Sequence, residues 1–429
     1  MKHTEFDAVV IGGGASGLSA AAEMSRGGAS VAVVEREETL GGILNQCIHN
    51  GFGLHQYNEE LTGPEYAERC IRDLDGLSVK VFTGMTVTLM ETEEGTQLLY
   101  GFSRESGMVR FRCRAIVLAM GCRERNRGNL GTPGTRPSGI FTAGLAQRLV
   151  NIDGMVPGRE CVIVGSGDIG LIMARRMTWI GARVRGVIEI QPYPAGITRN
   201  IVQCLRDFDI PLYLSHSITR IYGKDRISGV DVAPVRNAGG EASGAFHIPC
   251  DTLLLSVGLV PENEISRKAG VRLHPETGGP VVDARYMTSV TGIFACGNVL
   301  HVHDLVDYAS EEARHCGQAV LDYLSGVSAG EQLRVGAGRN VKYVVPGRFA
   351  LTGKNRFYLR SMITGTGARL CVRLGGIEVL RRKLPYVQPS EMISFDLAAD
   401  EDAISSRFTT GGDETDLEVS LEIPEKEGA

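Results

Sequence analysis

Two continuous apolar runs, Val9-Val10-Ile11 and Cys161-Val162-Ile163-Val164, each break abruptly into a glycine-rich loop. An apolar run without polar alternation predicts a strand covered on both faces, as in a parallel sheet between helix layers. After each loop comes a helical pattern. Leu18, Ala21, Ala22 and Met24 mark the buried face of the first, and the second runs from Ile169 to Ile180. A further apolar run closes each unit, Ser30 to Val34 and Arg183 to Ile188. Strand, loop, helix and strand therefore occur twice, which predicts two α/β units with doubly wound sheets. Past residue 330 the texture changes. Val341–Val345, Phe357–Met362, Arg369–Leu374 and Leu417–Leu421 alternate in part and are punctuated by Gly, Pro and Asp. They predict a small antiparallel β domain, in the form of a sandwich.

The loops carry the chemistry. The first reads Gly12-Gly13-Gly14-Ala15-Ser16-Gly17 and the second Gly165-Ser166-Gly167-Asp168-Ile169-Gly170. Glycines at this spacing permit a tight turn and a close backbone approach to a pyrophosphate. The helix that follows aims its amides and positive dipole end at that charge. Glu35 lies 23 residues after Gly12, and Glu189 lies 24 after Gly165. A carboxylate at this distance accepts from a ribose 2′-hydroxyl. Two such loops in one chain predict two bound dinucleotides and electron transfer between them. Asp168 is an awkward neighbour for a pyrophosphate, so its side chain is expected to point away or to cap the helix. Glu189 favours NADH over NADPH, because a carboxylate repels a 2′-phosphate; Arg175, Arg176, Arg185 and Arg199 keep NADP as the alternative.

The 429 residues exceed the length at which one core stops growing, about 250–300 residues. A net charge of −5 argues against nucleic acid or an anionic membrane as the main partner. The first strand begins by Phe6, and no apolar run nears the roughly 18 residues of a membrane helix. A cytoplasmic protein without membrane insertion is the expectation. Ten cysteines are present but no CxxC pair, so no local zinc or iron–sulfur site is expected, and metal is predicted absent.

Further motifs carry a resemblance. Glu35-Arg36 followed by Leu40-Gly41-Gly42, the run Ala115 to Gly121, and Thr291 to Asn298 resemble the two-dinucleotide-binding flavoproteins, the thioredoxin reductase and glutathione reductase families. The resemblance implies FAD on the first loop, with Gly12, Gly14, Ala15, Ser16, Gly17, Glu35, Arg36, Gly42, Gly121, Gly297 and Asn298 binding it. Asn298 stands where that family carries an aspartate to the ribityl chain. It implies NAD on the second loop, with Gly165, Gly167, Asp168, Ile169, Gly170 and Glu189 binding it. The flavin motifs flank the nicotinamide unit, so a nicotinamide domain (126–254) is inserted in a discontinuous FAD domain (1–125 and 255–328), and the β domain (335–429) follows. The stretch from His303 opens a helix at the flavin edge, with Asp304 as its N-cap. His301 and His303 are acid–base candidates, with a plain loop role as the alternative.

Disulfide reductases of that family place a CxxxxC pair after the Gly-Gly; here Cys47 stands alone. Ordinary disulfide reduction is therefore not expected. Cys47 and His49, with Asn45 and Gln46, are the flavin-side candidates, and no catalytic residue is certain. Pairing of Cys47 with Cys122 is a minor alternative. The runs Asn45 to Leu54, Gly121 to Arg125 and Ile140 to Gly144 resemble a bacterial family of FAD/NAD-linked oxidoreductases. Its members accompany a glycerol-3-phosphate dehydrogenase-like flavoprotein and a small cysteine-containing protein. Hydrogen cyanide synthase and sarcosine or opine oxidase large subunits are more distant likenesses. The implied function is hydride exchange with NAD(H) and electron exchange with a partner redox subunit. The alternatives are a direct oxidase or dehydrogenase of a small amine or hydroxy acid, and a non-catalytic cofactor-binding subunit. The β domain is the candidate docking surface for a partner, self-association is left open, and the acidic tail around Glu425-Lys426-Glu427 is expected to fray.

Overall fold

The computed structural model describes residues 2–235, 244–398 and 416–423; the tail at 425–427 lies outside them. The chain forms two units. One takes residues up to 45, 49–122 and from 261 on; the other takes 46–48 and 123–260. The crossings expected at 125/126 and 254/255 fall at 122/123 and 260/261.

The first unit opens with β1 (Lys2–Ile11), α1 (Ala15–Arg26) and β2 (Val31–Val34), followed by α2 (Gly63–Arg72), β3 (Val79–Phe82), β4 (Met85–Glu93), β5 (Thr96–Ser103) and β6 (Gly107–Leu118). The sheet order is β3-β2-β1-β6-β5-β4. β1 pairs in parallel with both β2 and β6, Val9 facing Ala32 and Ile116. Ala8, Val9, Val10, Val31, Ala32 and Val33 are wholly inaccessible, which explains their unbroken apolar sequence. Each buried valine contributes about 1.5–3 kcal/mol.

The second unit contains β7 (Ile140–Thr142), α3 (Ala143–Asn151), β8 (Glu160–Val164), α4 (Asp168–Trp179), β9 (Arg183–Ile188), β10 (Leu212–Tyr213), β11 (His216–Gly223), β12 (Ile227–Pro234), β13 (Phe246–Pro249) and β14 (Thr252–Leu255). A parallel sheet of order β7-β14-β8-β9-β10 forms its centre. A three-stranded antiparallel sheet, β11-β12-β13, packs its apolar side onto it around Val162, Ile188, Val230 and Leu253.

The chain then returns to the first unit with β15 (Ile293–Ala295), which pairs in parallel with β6, and α5 (Val306–Leu324). α5 lies along α1. Gly317 permits the approach, since a Cβ there would sit 3.0 Å from the Ala20 carbonyl oxygen. The C-terminal strands are β16 (Gln332–Ala337), β17 (Val341–Val345), β18 (Arg348–Ala350), β19 (Lys354–Ser361), β20 (Gly365–Leu374), β21 (Ile377–Val387), β22 (Met392–Ala398) and β23 (Leu417–Glu422). They form two sheets, β18-β16-β23-β20-β21 and β17-β19-β22, around a shared core that includes Phe349, Phe357, Leu370 and Phe395. This module is bonded into the first unit, because Tyr343 and Val345 of β17 enter the core of the large sheet. Among the described residues no helix is long and apolar enough to cross a membrane.

Candidate functional site

The first glycine loop is shaped by two close approaches. Gly12 has φ +108°, and a Cβ there would lie 2.4 Å from the Ala119 carbonyl oxygen. A Cβ on Gly17 would lie 1.8 Å from the Gly12 oxygen. Gly14, by contrast, has open space where a side chain would be. α1 starts there with no side-chain cap and no acidic residue in its first turn. Its first helical bond runs from Leu18 N–H to Gly14 O (3.0 Å), so the earlier amides point out of the helix start. An open face, free amides and a positive dipole end fit a pyrophosphate.

Distant segments complete this cradle. Gly41 N–H donates to Gly13 O (2.8 Å), and a Cβ on Gly42 would lie 3.2 Å from the Gly14 Cα. Gly121 takes φ +69° just beyond β6. Gly297 follows β15 at φ +74°, where a Cβ would sit 2.2 Å from Ser16 Oγ. Asn298 Oδ1 accepts from His303 N–H (2.9 Å), and its Nδ2 faces Cys122 Sγ at 3.7 Å. The acceptor oxygen expected to meet a ribityl chain is therefore engaged within the loop. Arg36 stands outward, its side chain mostly exposed beside Glu37.

Glu35 acts first on the protein itself. Its carboxylate accepts from Gly13 N–H (2.6 Å) and Glu37 N–H (2.8 Å). Glu189 repeats the device, accepting from Ser166 N–H (2.8 Å), Ser166 Oγ (2.6 Å) and Gln191 N–H (2.8 Å). Each glutamate latches its loop while lying at the strand end, where a ribose can use the remaining lone pairs.

The second loop matches the first. A Cβ on Gly165 would lie 2.0 Å from the Ser256 oxygen and one on Gly170 2.5 Å from the Gly165 oxygen, whereas at Gly167 the nearest atom is 3.9 Å away. Asp168 Oδ1 accepts from Ile197 N–H (3.0 Å) and Asn200 Nδ2 (2.7 Å). Its charge thus ties down the loop after β9 and turns from the helix start. Ile169 follows in the first turn of α4. Arg175 lies over the Trp179 ring, Arg176 donates to Asn151, and Arg185 pairs with Glu160. Three of the four arginines that kept NADP open are committed elsewhere.

The flavin-side candidates are bonded within the protein. Asn45 Nδ2 donates to Leu40 O (2.8 Å), and Gln46 Nε2 donates to Gly144 O (2.9 Å) and Gln147 Oε1 (3.0 Å). Cys47 Sγ lies 3.7 Å from Gln147 Oε1. Burial pushes the Cys47 thiol up to about 12, so at neutral pH it is a thiol, not a nucleophilic thiolate. The His49 ring lies tilted against Phe52 at 5.0 Å, with Nδ1 3.1 Å from Asn50 O. None of the ten cysteines forms a disulfide, so the Cys47–Cys122 pairing is not made.

The loop after Asn298 differs from expectation. Asp304 is not the N-cap. That place is held by Leu305, without a side-chain cap, because Asp304 is drawn to the C-terminal module, where it pairs with Arg360 and accepts from Met392 N–H (2.6 Å). His301 and His303 are buried, and both face Glu312 of α5, at 2.6 and 3.2 Å. Burial alone would raise the Glu312 carboxyl, but the two imidazoles outweigh it and hold the carboxyl below its ordinary value. Burial likewise pulls His301 down, against the attraction of Glu312. A neutral, inaccessible His301 is a poor acid or base for substrate. Sequence reasoning missed Glu312; the one available signal was an acidic residue inside an otherwise small-residue helix face, Ala309 to Cys316.

Residues 6–313 match the family model described as pyridine nucleotide-disulphide oxidoreductase. The chain belongs to that family. Members of that family bind FAD and NAD(P)H, and the fold is the thioredoxin reductase-like one. An opine oxidase subunit of Agrobacterium tumefaciens is 27% identical over 320 residues, 68% of this chain and 61% of that protein. The hydrogen cyanide synthase subunit HcnB of Pseudomonas protegens is 25% identical over 285 residues, 61% of this chain and 58% of that protein. The matches thus span about three-fifths of these relatives' lengths. Thioredoxin reductase of T. acidophilum superposes with a TM-score of 0.62 at 22% identity, over 76% of this chain and 99% of that structure, a likeness of fold.

Proposed function

We propose that this family member is an FAD-dependent, NADH-linked oxidoreductase that acts with a partner redox subunit. The observation that carries the reading is the duplicated loop, each copy open at one glycine and latched by one glutamate. When bound, FAD and the nicotinamide nucleotide supply the hydride chemistry themselves. The chain's residues bind and orient. Gly12, Gly14, Ala15, Ser16 and Gly17 cradle the FAD pyrophosphate with Gly42, Gly121, Gly297 and Asn298 around it, and Arg36 stands at the rim. Gly165, Gly167, Ile169 and Gly170 hold the nicotinamide nucleotide, with Asp168 fixing the loop. Glu35 and Glu189 meet the riboses.

Disulfide reduction is disfavoured, since a dithiol relay needs paired thiols and Cys47 is buried and protonated. The electrons are assigned to a partner protein, in the manner suggested by the names of the opine oxidase and hydrogen cyanide synthase relatives, each of them one subunit of an enzyme. A glycerol-3-phosphate dehydrogenase-like flavoprotein is the finer reading for that partner, and the cytoplasm for the location. A direct amine or hydroxy-acid oxidase is the second reading, again on the opine oxidase likeness. Co-purification from the native source, with identification of bound subunits, separates the two. A recurrent flavoprotein partner supports the first, and turnover by the isolated chain supports the second.

A further inference from the structure

Glu312 is wholly inaccessible, yet its two oxygens take three N–H donors. Oε1 accepts from Gly297 N–H (2.6 Å) and His303 Nε2 (3.2 Å), and Oε2 accepts from His301 Nε2 (2.6 Å). A buried carboxylate persists only where donors surround it. All three donors come from one stretch, 297–303. That stretch begins at the positive-φ Gly297, packed on Ser16 of the first loop, and folds back through His303 N–H to Asn298 Oδ1.

The C-terminal module grips the same stretch from its other side. The Tyr358 ring lies 5.3 and 5.6 Å from the His301 and His303 rings. Arg360 donates to Val302 O (3.0 Å) and pairs with Asp304. The two imidazoles and the carboxylate also bring potential metal-ligand atoms within 4.8 Å of one another. Hydrogen bonding accounts for them better. Metal-bound imidazoles pass their second N–H to an acceptor, whereas Nδ1 of both histidines here has no partner. Neutral rings that donate through Nε2 leave only a lone pair at Nδ1.

We propose that Glu312 is the positioning residue of the flavin site: it sets the Gly297–Asn298 turn against the start of α1, and the C-terminal module braces that turn through Tyr358 and Arg360. This rests on the first loop being the FAD site. The module then has a task inside the chain, apart from any docking of partners. Glutamine at position 312 keeps the shape but presents an NH₂ to inward-pointing N–H donors, so one donor must be displaced. Glutamine at position 360 removes the charge that holds Asp304.

The test strips the flavin from the wild type, Glu312→Gln, Arg360→Gln and Phe395→Leu. It then measures FAD dissociation constant, flavin midpoint potential, far-UV circular dichroism and metal content. Glu312→Gln is expected to weaken FAD about tenfold or more and to shift the potential, with secondary structure intact. Arg360→Gln is expected to lose less, in the same direction. Phe395→Leu lies in the module's core and is expected to lower thermal stability while leaving affinity and potential in place. Affinity and potential within about twofold of wild type in Glu312→Gln would overturn the positioning role; if that variant does not fold, Arg360→Gln decides by the same limit. Stoichiometric transition metal in the purified wild type would overturn it as well. A wild type that itself fails to bind FAD would refute the flavin reading, whereas a flavin-loaded wild type with indifferent variants would refute this inference alone.

Discussion

Gly14→Ala separates holding the fold from holding the cofactor. Gly14 has φ −81° and ψ −175°, an extended conformation open to any residue, and a Cβ there meets nothing within 4 Å. Glycine is preferred to alanine at an N-cap by about 0.5 kcal/mol. Removing glycine's freedom from the unfolded chain returns about 0.4–1 kcal/mol. The two nearly cancel, so the flavin-free protein should unfold within about 1 kcal/mol of wild type. The added methyl nevertheless fills the open face in front of the α1 amides. A pyrophosphate displaced there loses charge-assisted bonds worth about 1.5 kcal/mol each. Two such losses amount to about 3 kcal/mol, or roughly a hundredfold in FAD dissociation constant. Urea unfolding of the flavin-free protein and fluorescence titration with FAD measure the two halves separately. Wild-type FAD affinity in a folded Gly14→Ala protein would refute the placement of the pyrophosphate.

Other consequences can be checked in the same preparations. Gly167→Ala adds a methyl whose nearest neighbour is 3.9 Å away, so it should raise the NADH KM about tenfold or more while FAD content stays at wild type; equal loss of both cofactors would contradict separate sites. Wild type should prefer NADH to NADPH in kcat/KM, and Glu189→Ser should reduce that preference; an NADPH-selective wild type would refute the reading of Glu189. Cys47 should resist iodoacetamide in the folded protein at about pH 8 and react on unfolding, because burial holds its thiol near 12; rapid alkylation of the native protein would overturn this. Glu312 titrates below its ordinary value in the fold, so its stabilisation is complete above the unfolded-state value of 4.5 and is lost as pH falls through the lower folded one. The stability gap between wild type and Glu312→Gln should therefore be constant near neutrality and close below about pH 4.5; a gap that widens in acid would refute an ionised Glu312.

Local pattern carried the parts of the site made by contiguous chain. The glycine loops, the two closing glutamates and the helices behind them follow from a strand buried on both faces and a helix start with free amides. Asp168 was legible only as a problem; its solution lies with Asn200 and Ile197, beyond the next strand. Asp304 looked like an N-cap because local chemistry favours it there, but Arg360, 56 residues on, competes successfully. Glu312 has no motif at all. Its partners are Gly297, His301 and His303, and only the packing of α5 beneath β15 reveals that one carboxylate serves all three. In the C-terminal module the four strands that alternate in part were readable. β16, β18, β21 and β22 were not; β21 is almost wholly solvent-facing, and its run of Arg381, Arg382 and Lys383 hides the strand period.

Anaerobic titration of the FAD-loaded protein with NADH tests the central claim most directly. Bleaching of the visible flavin band in proportion to added NADH is the predicted result. A band unchanged by both NADH and NADPH would contradict hydride transfer between the two bound dinucleotides.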